Sequence, residues 1–513
     1  MEESSFSYKT LRNTFYLFLN FLLPMVLTIF VTRTSAIRLG EAEFGVLLLV
    51  NTISTFVNFV DLGLGVAVTK YAAQYRGSGD LTSLEKLLSS SRVLFLFTGF
   101  LGVLVFFILG KWFLPVFHVA PGSQPHIFQV FMLAGLVFLF NSLSTIYGAV
   151  LSAVQRFDLM SKLGLTGLTL TSIGTIILLE MNFRLKAVMV LNVALAFLTL
   201  AVYHFYVAKL LPELRLSFKI DFPEIKKAYK FGVLAFFSNL ASSSLIYLDR
   251  LLIPIFLGPA QLPFYSVPGN VALKTSVVTN TFGQMLFPMA SELAGAGDLN
   301  RLKALYVRAF RNLHVVSAAV SLAIAMFANK ILLFWLGENY ASRGTNVLVI
   351  LSATYFIVAL YIPLQGMLLG LGRTKFLIKQ SLFMAGINLS LLLILVPRYG
   401  ITGAAWAYFF AVLPMIGAFF QIERKLFFLT DQVSRYTKLY AQLTVTAVIC
   451  GLIMFFWLVP LAKNIVGLVI VGPFSVLLYF ICYYALGFME KDDSEIIKNF
   501  ALKFFRLKSF FKQ

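Results

Sequence analysis

Four charged residues stand inside long apolar runs of this sequence and are the first candidates for chemistry: Asp61, Asp249, Arg250 and Lys274. Ionised side chains are costly in hydrocarbon, so such residues mark ion or ligand pathways or pair with one another. Lys274 lies about 18 Å from the outer end of its run, near the midplane of a bilayer. For Asp249 and Arg250 two interpretations stay open, a structural ion pair with other helices or a direct contact with an ionic ligand.

Uncharged polar residues follow the same apolar runs at steps of three and four, which place them on one helix face. Those of the second, seventh and eighth runs predict a polar cavity, and they include Asn51, Asn58, Asn239, Ser243, Asn270 and Gln284. The fourth run carries a similar stripe of Asn141, Thr145, Gly148, Ser152 and Gln155. For that stripe we favour helix packing, since small and hydroxylated residues also form seams between helices.

Composition places these residues in a membrane protein. Hydrophobic residues make up 59% of 513 positions and charged residues 12%, about half the charged fraction of a soluble protein. Runs such as 15–31 and 93–109 approach the ~20 residues that a helix needs to cross a ~30 Å hydrocarbon core. Alternating segments of ~10 residues, which a closed barrel requires, are absent from the sequence. The sequence therefore predicts an all-α integral membrane protein.

Fourteen spans fit the apolar runs: 14–37, 42–67, 91–110, 127–152, 163–180, 187–208, 231–257, 262–288, 310–334, 345–370, 376–396, 401–422, 439–460 and 465–488. With the N-terminus inside, 31 of the 42 Lys and Arg residues fall in inner segments. This positive-inside bias predicts a multi-pass protein of the cytoplasmic membrane with both termini in the cytoplasm. No cleavable signal is expected, because the first run is long enough to span and lacks a small-residue cleavage pattern.

Several functional classes lack support in the sequence. The net charge of +20 belongs to inner loops and predicts no nucleic-acid partner. A GxxxxGK[ST] loop is missing, so an ATP-driven pump is unsupported. Cys450 and Cys482 fall inside predicted spans, and the four histidines show no metal-ligand spacing. We therefore expect no disulfide framework, no metal site and no catalytic residues.

The sequence resembles itself at an offset of 218 residues. Three matches share this offset: Leu39-Gly40 with Leu257-Gly258, Gly77–Leu84 with Gly295–Leu302, and Gly148 with Gly366. Each half holds six spans, and an even number predicts parallel repeats. We predict a lobe at 1–218, a second at 219–436, two extra helices at 437–488 and an amphipathic basic tail at 489–513 that lies on the inner leaflet.

The repeated Gly-x-Gly-Asp-Leu segment is interpreted as structural. Its glycines allow a tight turn, and Asp80 or Asp298 is then expected to cap the following helix. A GxG pair alone is no nucleotide signature.

Several motifs resemble one known family. They are Arg38-Leu-Gly-Glu-Ala-Glu-Phe-Gly45, Asp61-Leu-Gly-Leu-Gly65, Leu248-Asp-Arg-Leu251 before Leu257-Gly258 and Phe264-Tyr265, and Gly148 through Gln155-Arg156-Phe157. Together they resemble the polysaccharide-biosynthesis branch of the multidrug/oligosaccharidyl-lipid/polysaccharide (MOP) exporter superfamily, and within it the Wzx-type flippases for O-antigen. Pro263 stands where that family often has a glycine.

This resemblance implies a MATE-like fold of two lobes and a flippase rather than an enzyme. It implies that alternating access moves a polyprenyl-pyrophosphate-linked oligosaccharide across the cytoplasmic membrane, with membrane lipid and glycan polymerase or glycosyltransferases as partners. Arg250, Lys274 and Arg33 are then the candidates to bind the anionic headgroup. Asp249 or Asp61 would bind a coupling cation, Na⁺ or H⁺.

Other functions share parts of this pattern. A multidrug extruder or a lipid II flippase of the same superfamily has the same architecture. A non-transporting scaffold would not require charges at depth, and a membrane glycosyltransferase would need a large soluble loop with paired carboxylates, which the sequence lacks.

Overall fold

The structure is a computed structural model, and it describes residues 23–61, 63–212, 217–371, 374–427 and 432–489. Within these ranges the chain is helical and no β-strand occurs. The all-α prediction is confirmed. The predicted tail at 489–513 lies outside the described residues except for Met489.

Eighteen helices follow one another along the described chain. The described part of α1 is 23–38, and the others are α2 (Gly40–Val57), α3 (Leu64–Ser78), α4 (Leu81–Ile108), α5 (Gln124–Ala153), α6 (Phe157–Glu180), α7 (Leu185–Leu210), α8 (Phe222–Leu257), α9 (Leu262–Ala272), α10 (Lys274–Gly295), α11 (Leu299–Met326), α12 (Ala328–Leu336), α13 (Glu338–Gly370), α14 (Thr374–Val412), α15 (Pro414–Phe427), α16 (Gln432–Ile453), α17 (Val459–Leu461) and α18 (Ile465–Ala485).

Ten helical segments of the described chain are long and apolar enough to cross a membrane. One of them, Phe376–Gln421, covers two predicted spans, and Gly400 within it has a non-helical backbone (φ 59°, ψ −143°). The first predicted span begins outside the described residues. The chain is a multi-pass membrane protein, and the count of fourteen stays a prediction.

Packing divides the chain into two compact units. The first contains residues up to Val267 together with Ser381–Ala404, and the second contains Pro268–Gln380 and the chain from Ala405 onward. In the first unit an apolar core includes the fully buried Leu64, Leu88 and Leu151. In the second, the core includes Tyr306, Leu364 and Tyr479. The compact units record which helices pack together and do not test whether the two halves of the sequence are duplicates. The predicted boundaries at 218, 436 and 488 therefore stay predictions.

The backbone repeats at the predicted turns. Gly79 and Gly297 both take positive φ, at 74° and 72°. The next residue caps a helix in each case: Asp80 accepts the N–H of Ser83, and Asp298 accepts the N–H of Arg301, both at 2.9 Å. The predicted capping roles of Asp80 and Asp298 are confirmed.

The second span of the first predicted half is interrupted, which the sequence periodicity did not predict. After α2 the chain forms a short 3-10 turn at Asn58–Asp61, and α3 then starts behind Gly63. Gly63 has φ 77° and ψ 16°, a left-handed conformation that glycine adopts without strain. In the second half, α9 ends at Ala272 and α10 begins at Lys274, but the N–H of Leu273 between them still bonds to the carbonyl oxygen of Gly269 at 2.9 Å. Discontinuous helices such as that of the first half are typical of transporter binding sites.

Candidate functional site

A polar cavity of about 670 Å³ lies beside the interrupted span of the first unit. Residues from the turn after α2, from α3, and from α5 to α8 line it: Asn58, Phe59, Asp61, Gly63, Gly65, Val66, Thr69, Asn141, Ser144, Thr145, Gly148, Ala149, Ser152, Met160, Thr199, Tyr203 and Phe236. We call this volume the first-unit cavity.

The break between α2 and α3 positions Asp61. Its Oδ1 accepts the N–H of Gly63 at 2.9 Å. A Cβ on Gly63 would lie 2.3 Å from the carbonyl oxygen of Gly232, so α8 packs closely against the break. The carboxylate therefore takes over a donor that an unbroken helix would bond to its own carbonyls.

The first-unit cavity is lined by one carboxylate, that of Asp61, and by neutral side chains that carry oxygen atoms. Among the described residues that line it, Asp61 is the sole ionisable acid or base besides the phenol of Tyr203. The amides of Asn58 and Asn141 and the hydroxyls of Ser144 and Thr145 supply further oxygens. Carboxylate, carbonyl and hydroxyl oxygens are the ligands that hard cations prefer. The arrangement can accept a monovalent cation or a proton.

The stripe on α5 belongs to this cavity. Asn141, Thr145, Gly148 and Ser152 all line it, and a Cβ built on Gly148 would meet nothing within 4 Å. The stripe also packs against its neighbours, since a Cβ built on Gly65 would lie 3.1 Å from Cγ2 of Thr145. The packing seam favoured from the sequence therefore stays a prediction, beside a cavity that the same residues line. A polar stripe looks the same in sequence whether it faces a neighbouring helix or an open volume.

Sequence reasoning missed three lining residues on α6 and α7. Met160, Thr199 and Tyr203 reach the first-unit cavity. Thr199 and Tyr203 stand four residues apart and so share a helix face. This polar pair in an otherwise apolar run is the sequence pattern that could have indicated a cavity-facing side of α7.

Asp249 and Arg250 stand near the C-terminal end of α8. Asp249 is 3% exposed and accepts the hydroxyl hydrogen of Tyr265 and, at 2.7 Å, the backbone N–H of Arg250. The guanidinium carbon of Arg250 lies 5.3 Å from the centre of the Tyr247 ring, a cation–π distance. Asp249 is thus held by local partners, which favours the structural interpretation of its carboxylate.

The other predicted site residues are dispersed over the chain. Lys274 is the first residue of α10, and its side chain is exposed. Arg33 on α1, Asn51 on α2 and Asn270 on α9 are also exposed, and Ser243 on α8 is half-buried. Arg250 falls in the first compact unit and Lys274 in the second. The side chains of Asn239 and Gln284 lie outside the described part of the structure.

Comparison with known proteins decides the family. A family model described as "Polysaccharide biosynthesis protein" matches residues 10–343, well over half of the chain. The chain belongs to this family. The resemblance inferred from the sequence motifs is confirmed.

Two relatives support the placement in the polysaccharide biosynthesis protein family. A protein of Shigella flexneri named "Putative O-antigen transporter" is 21% identical over 399 residues, which cover 77% of this chain and 93% of that protein. An uncharacterized membrane protein of Methanocaldococcus jannaschii is 26% identical over 185 residues, covering 35% of this chain and 36% of that protein.

Solved structures place this family member in the MOP fold. Lipid II flippase MurJ, in an inward closed conformation, matches with a TM-score of 0.69 and 14% identity over 92% of this chain and 99% of that chain. An inward-facing MATE family transporter of the MOP superfamily matches with a TM-score of 0.65 and 13% identity over 79% and 97%. A MOP superfamily transporter from Pyrococcus furiosus matches at 0.51 and 13% over 80% and 95%. At these identities the likeness shows the fold alone.

Proposed function

We propose that this chain is a flippase that moves polyprenyl-pyrophosphate-linked oligosaccharide across the cytoplasmic membrane for cell-surface polysaccharide synthesis. The observation that carries the proposal is the family match, joined to the similarity with the Shigella O-antigen relative along 93% of its length. The MOP fold supports a secondary transporter rather than an enzyme.

The proposed architecture has fourteen spans arranged as two parallel six-helix lobes, at 1–218 and 219–436, followed by two further helices. The equal glycine φ angles and aspartate caps of the two halves support the duplication. Both termini are proposed to lie in the cytoplasm, as the distribution of Lys and Arg indicates. Alternating access between the lobes would then move the headgroup while the polyprenyl chain stays in lipid.

Arg250, Lys274 and Arg33 are proposed to bind the pyrophosphate. Cationic groups at membrane depth offer the charge-assisted hydrogen bonds that phosphate oxygens need. Asp61 in the first-unit cavity is proposed as the site of a coupling Na⁺ or H⁺, and Asp249 as the weaker candidate because of its local partners.

The experiment that tests headgroup binding uses cells whose own O-antigen flippase has been deleted. The wild-type chain should restore surface glycan and prevent accumulation of lipid-linked oligosaccharide on the inner leaflet. The double variant Arg250→Ala, Lys274→Ala should fail to do so at unchanged protein abundance. Lys330→Ala, which removes a basic residue near the outer end of α12, is the matched control and should behave as wild type. Full complementation by the double variant would refute the binding role.

One observation favours a second candidate, a multidrug extruder. The first-unit cavity has one carboxylate and, among its described lining residues, no Lys or Arg. A cavity with excess negative charge suits organic cations. If this function is correct, expression should raise the inhibitory concentration of lipophilic cations several-fold in an efflux-deficient strain, and Asp61→Asn should remove the effect. A flippase should leave drug sensitivity unchanged.

A further inference from the structure

The second unit contains a basic cavity that none of the proposed transport steps uses. It measures about 640 Å³ and lies where the first three turns of α11, the first turns of α16 and the chain just after α18 meet. The positive-inside count assigns these ends to the cytoplasmic side. Its lining residues are Asn300, Lys303, Ala304, Val307, Phe310, Arg311, Arg435, Tyr436, Lys438, Leu439, Gln442, Gly487, Phe488 and Met489.

The charge of this cavity has one sign. Lys303, Arg311, Arg435 and Lys438 line it, and no acidic residue occurs among its described lining residues. The four cations come from two helices, so neither helix alone accounts for the cluster. Both helices also begin at this end, and helix N-termini add partial positive charge. The buried Glu423 lies within electrostatic reach of Arg435 and offsets at most one of the four charges, so the cavity keeps a net positive charge and favours an anion.

The inner wall of the same cavity is apolar. Phe310, Tyr436 and Leu439 are buried and belong to the core of the second unit. Val307 on α11 and Phe488 beyond α18 complete this wall. Tyr436 donates its hydroxyl hydrogen to the buried Glu423, so its ring is fixed in place. A ligand that fits must therefore present an anionic head beside apolar chains.

We propose that this cavity binds the phosphate headgroup of an anionic phospholipid of the inner leaflet. Basic pockets between transmembrane helices on the cytoplasmic side hold such headgroups. Lys and Arg at the mouth bind the phosphate oxygens, Arg with paired hydrogen bonds. The apolar wall accommodates the first carbons of the acyl chains, which a soluble phosphate would leave unmatched.

The direct test measures lipid binding to the purified full-length protein in detergent by native mass spectrometry. Dioleoyl phosphatidylglycerol should bind at least about tenfold more tightly than dioleoyl phosphatidylcholine. Loss of one charge should weaken binding of the anionic lipid about fivefold, which corresponds to about 1 kcal/mol per Lys or Arg. The double variants Arg311→Gln, Arg435→Gln and Lys303→Gln, Lys438→Gln should each lose about twentyfold.

The matched control removes the same charge elsewhere. Arg301→Gln, Lys219→Gln changes two exposed basic residues that do not line the cavity, and its affinity should stay within twofold of wild type. An equal loss in this control would overturn the proposal, because the effect would then reflect net charge alone. Thermal unfolding of each variant without lipid shows that the fold is intact.

Two further arms separate other anions from the lipid. Glycerol 3-phosphate at millimolar concentration should not displace phosphatidylglycerol, and efficient displacement would show a soluble-phosphate site instead.

The sequence that follows Met489 contains Glu490, Asp492, Asp493 and Glu495. Neutralising these four to Gln or Asn should leave lipid affinity unchanged. A several-fold gain would show that this segment is the occupant and would overturn the proposal. Arg250→Ala, Lys274→Ala should bind the lipid normally, which keeps this site independent of transport.

Discussion

Glycines that stand 218 positions apart in the sequence, one in each unit, have different surroundings. In the second unit a Cβ on Gly366 would lie 2.7 Å from the carbonyl oxygen of Gly283, so α10 and α13 touch there. The residues 218 positions earlier are Gly148 and Gly65. Both line the first-unit cavity, and a Cβ on Gly148 would meet no atom within 4 Å. The helix backbones touch at this pair in the second unit, whereas in the first unit Gly148 borders an open volume and a Cβ on Gly65 would meet only the side chain of Thr145, at 3.1 Å.

The neighbouring side chains explain the difference. Asn141 lines the first-unit cavity, whereas its counterpart Ala359 is 1% exposed. Asp61 corresponds to the fully buried Thr279, whose hydroxyl bonds to the carbonyl oxygen of Ser276 at 2.9 Å. Small apolar residues let helices approach, and polar ones keep a volume hydrated. If the two halves are duplicates, as the offset of 218 residues predicts, one scaffold supports a polar site in the first unit and close helix packing in the second.

The largest expected effect concerns chemical access. Asn141→Cys and Ala359→Cys, each in a Cys450→Ala, Cys482→Ala background, should differ in labelling by a small methanethiosulfonate by about a thousandfold. The buried position must wait for local opening, while the cavity position faces solvent. Labelling rates in the purified protein give the answer directly. Similar rates at both positions would remove the contrast between the units.

The next effect concerns the charge in the first-unit cavity. Asp61→Asn keeps the shape of the side chain but removes its charge, and it should slow glycan-lipid flipping in proteoliposomes about a hundredfold. Thr279→Val changes the corresponding residue of the second unit and should stay within twofold. Protein abundance and unfolding temperature should be near normal for Asp61→Asn. If instead Thr279→Val slows flipping and Asp61→Asn does not, the coupling role lies in the second unit and the prediction is wrong.

Close packing in the second unit gives a smaller, structural effect. Gly366→Val forces a side chain against the backbone of α10, and overpacking of this kind costs about 3 kcal/mol. The unfolding temperature should fall by about 3 °C. For Gly148→Val it should fall by less than about 1 °C, because its Cβ points into open space. Equal shifts would mean that the first-unit cavity closes in solution.

The smallest effect tests what the units have in common. Asp80→Ala and Asp298→Ala each remove a helix cap with the same 2.9 Å hydrogen bond. Each should lower the unfolding temperature by about 1 °C, and the two shifts should agree. A fluorescence-monitored thermal melt suffices. A shift in one variant and none in the other would show that the repeated turn is equivalent in geometry but not in stability.

Sequence alone predicted the helical membrane class, the family and the repeated capped turns, because those depend on local patterns. It predicted Asn58 and Asp61 as site residues, and the structure places both in one cavity. It did not predict the interruption at Asn58–Asp61, since polar residues at steps of three and four also fit an unbroken helix. The surroundings of Asn141 depend on which helix lies opposite, which is a tertiary property that spacing does not encode.

The interruption between α2 and α3 also affects how fast backbone amide hydrogens exchange with deuterium. The amide of Gly63 is held by the carboxylate of Asp61 instead of a helical carbonyl, and it borders the first-unit cavity. Backbone hydrogens deep in a membrane helix exchange with deuterium very slowly, because each is bonded within the helix and no water reaches it. The hydrogen of Gly63 should exchange early, and faster still when a cation or proton draws the carboxylate away. Deuterium uptake at Gly63 would then report the state of Asp61 without any label on the protein.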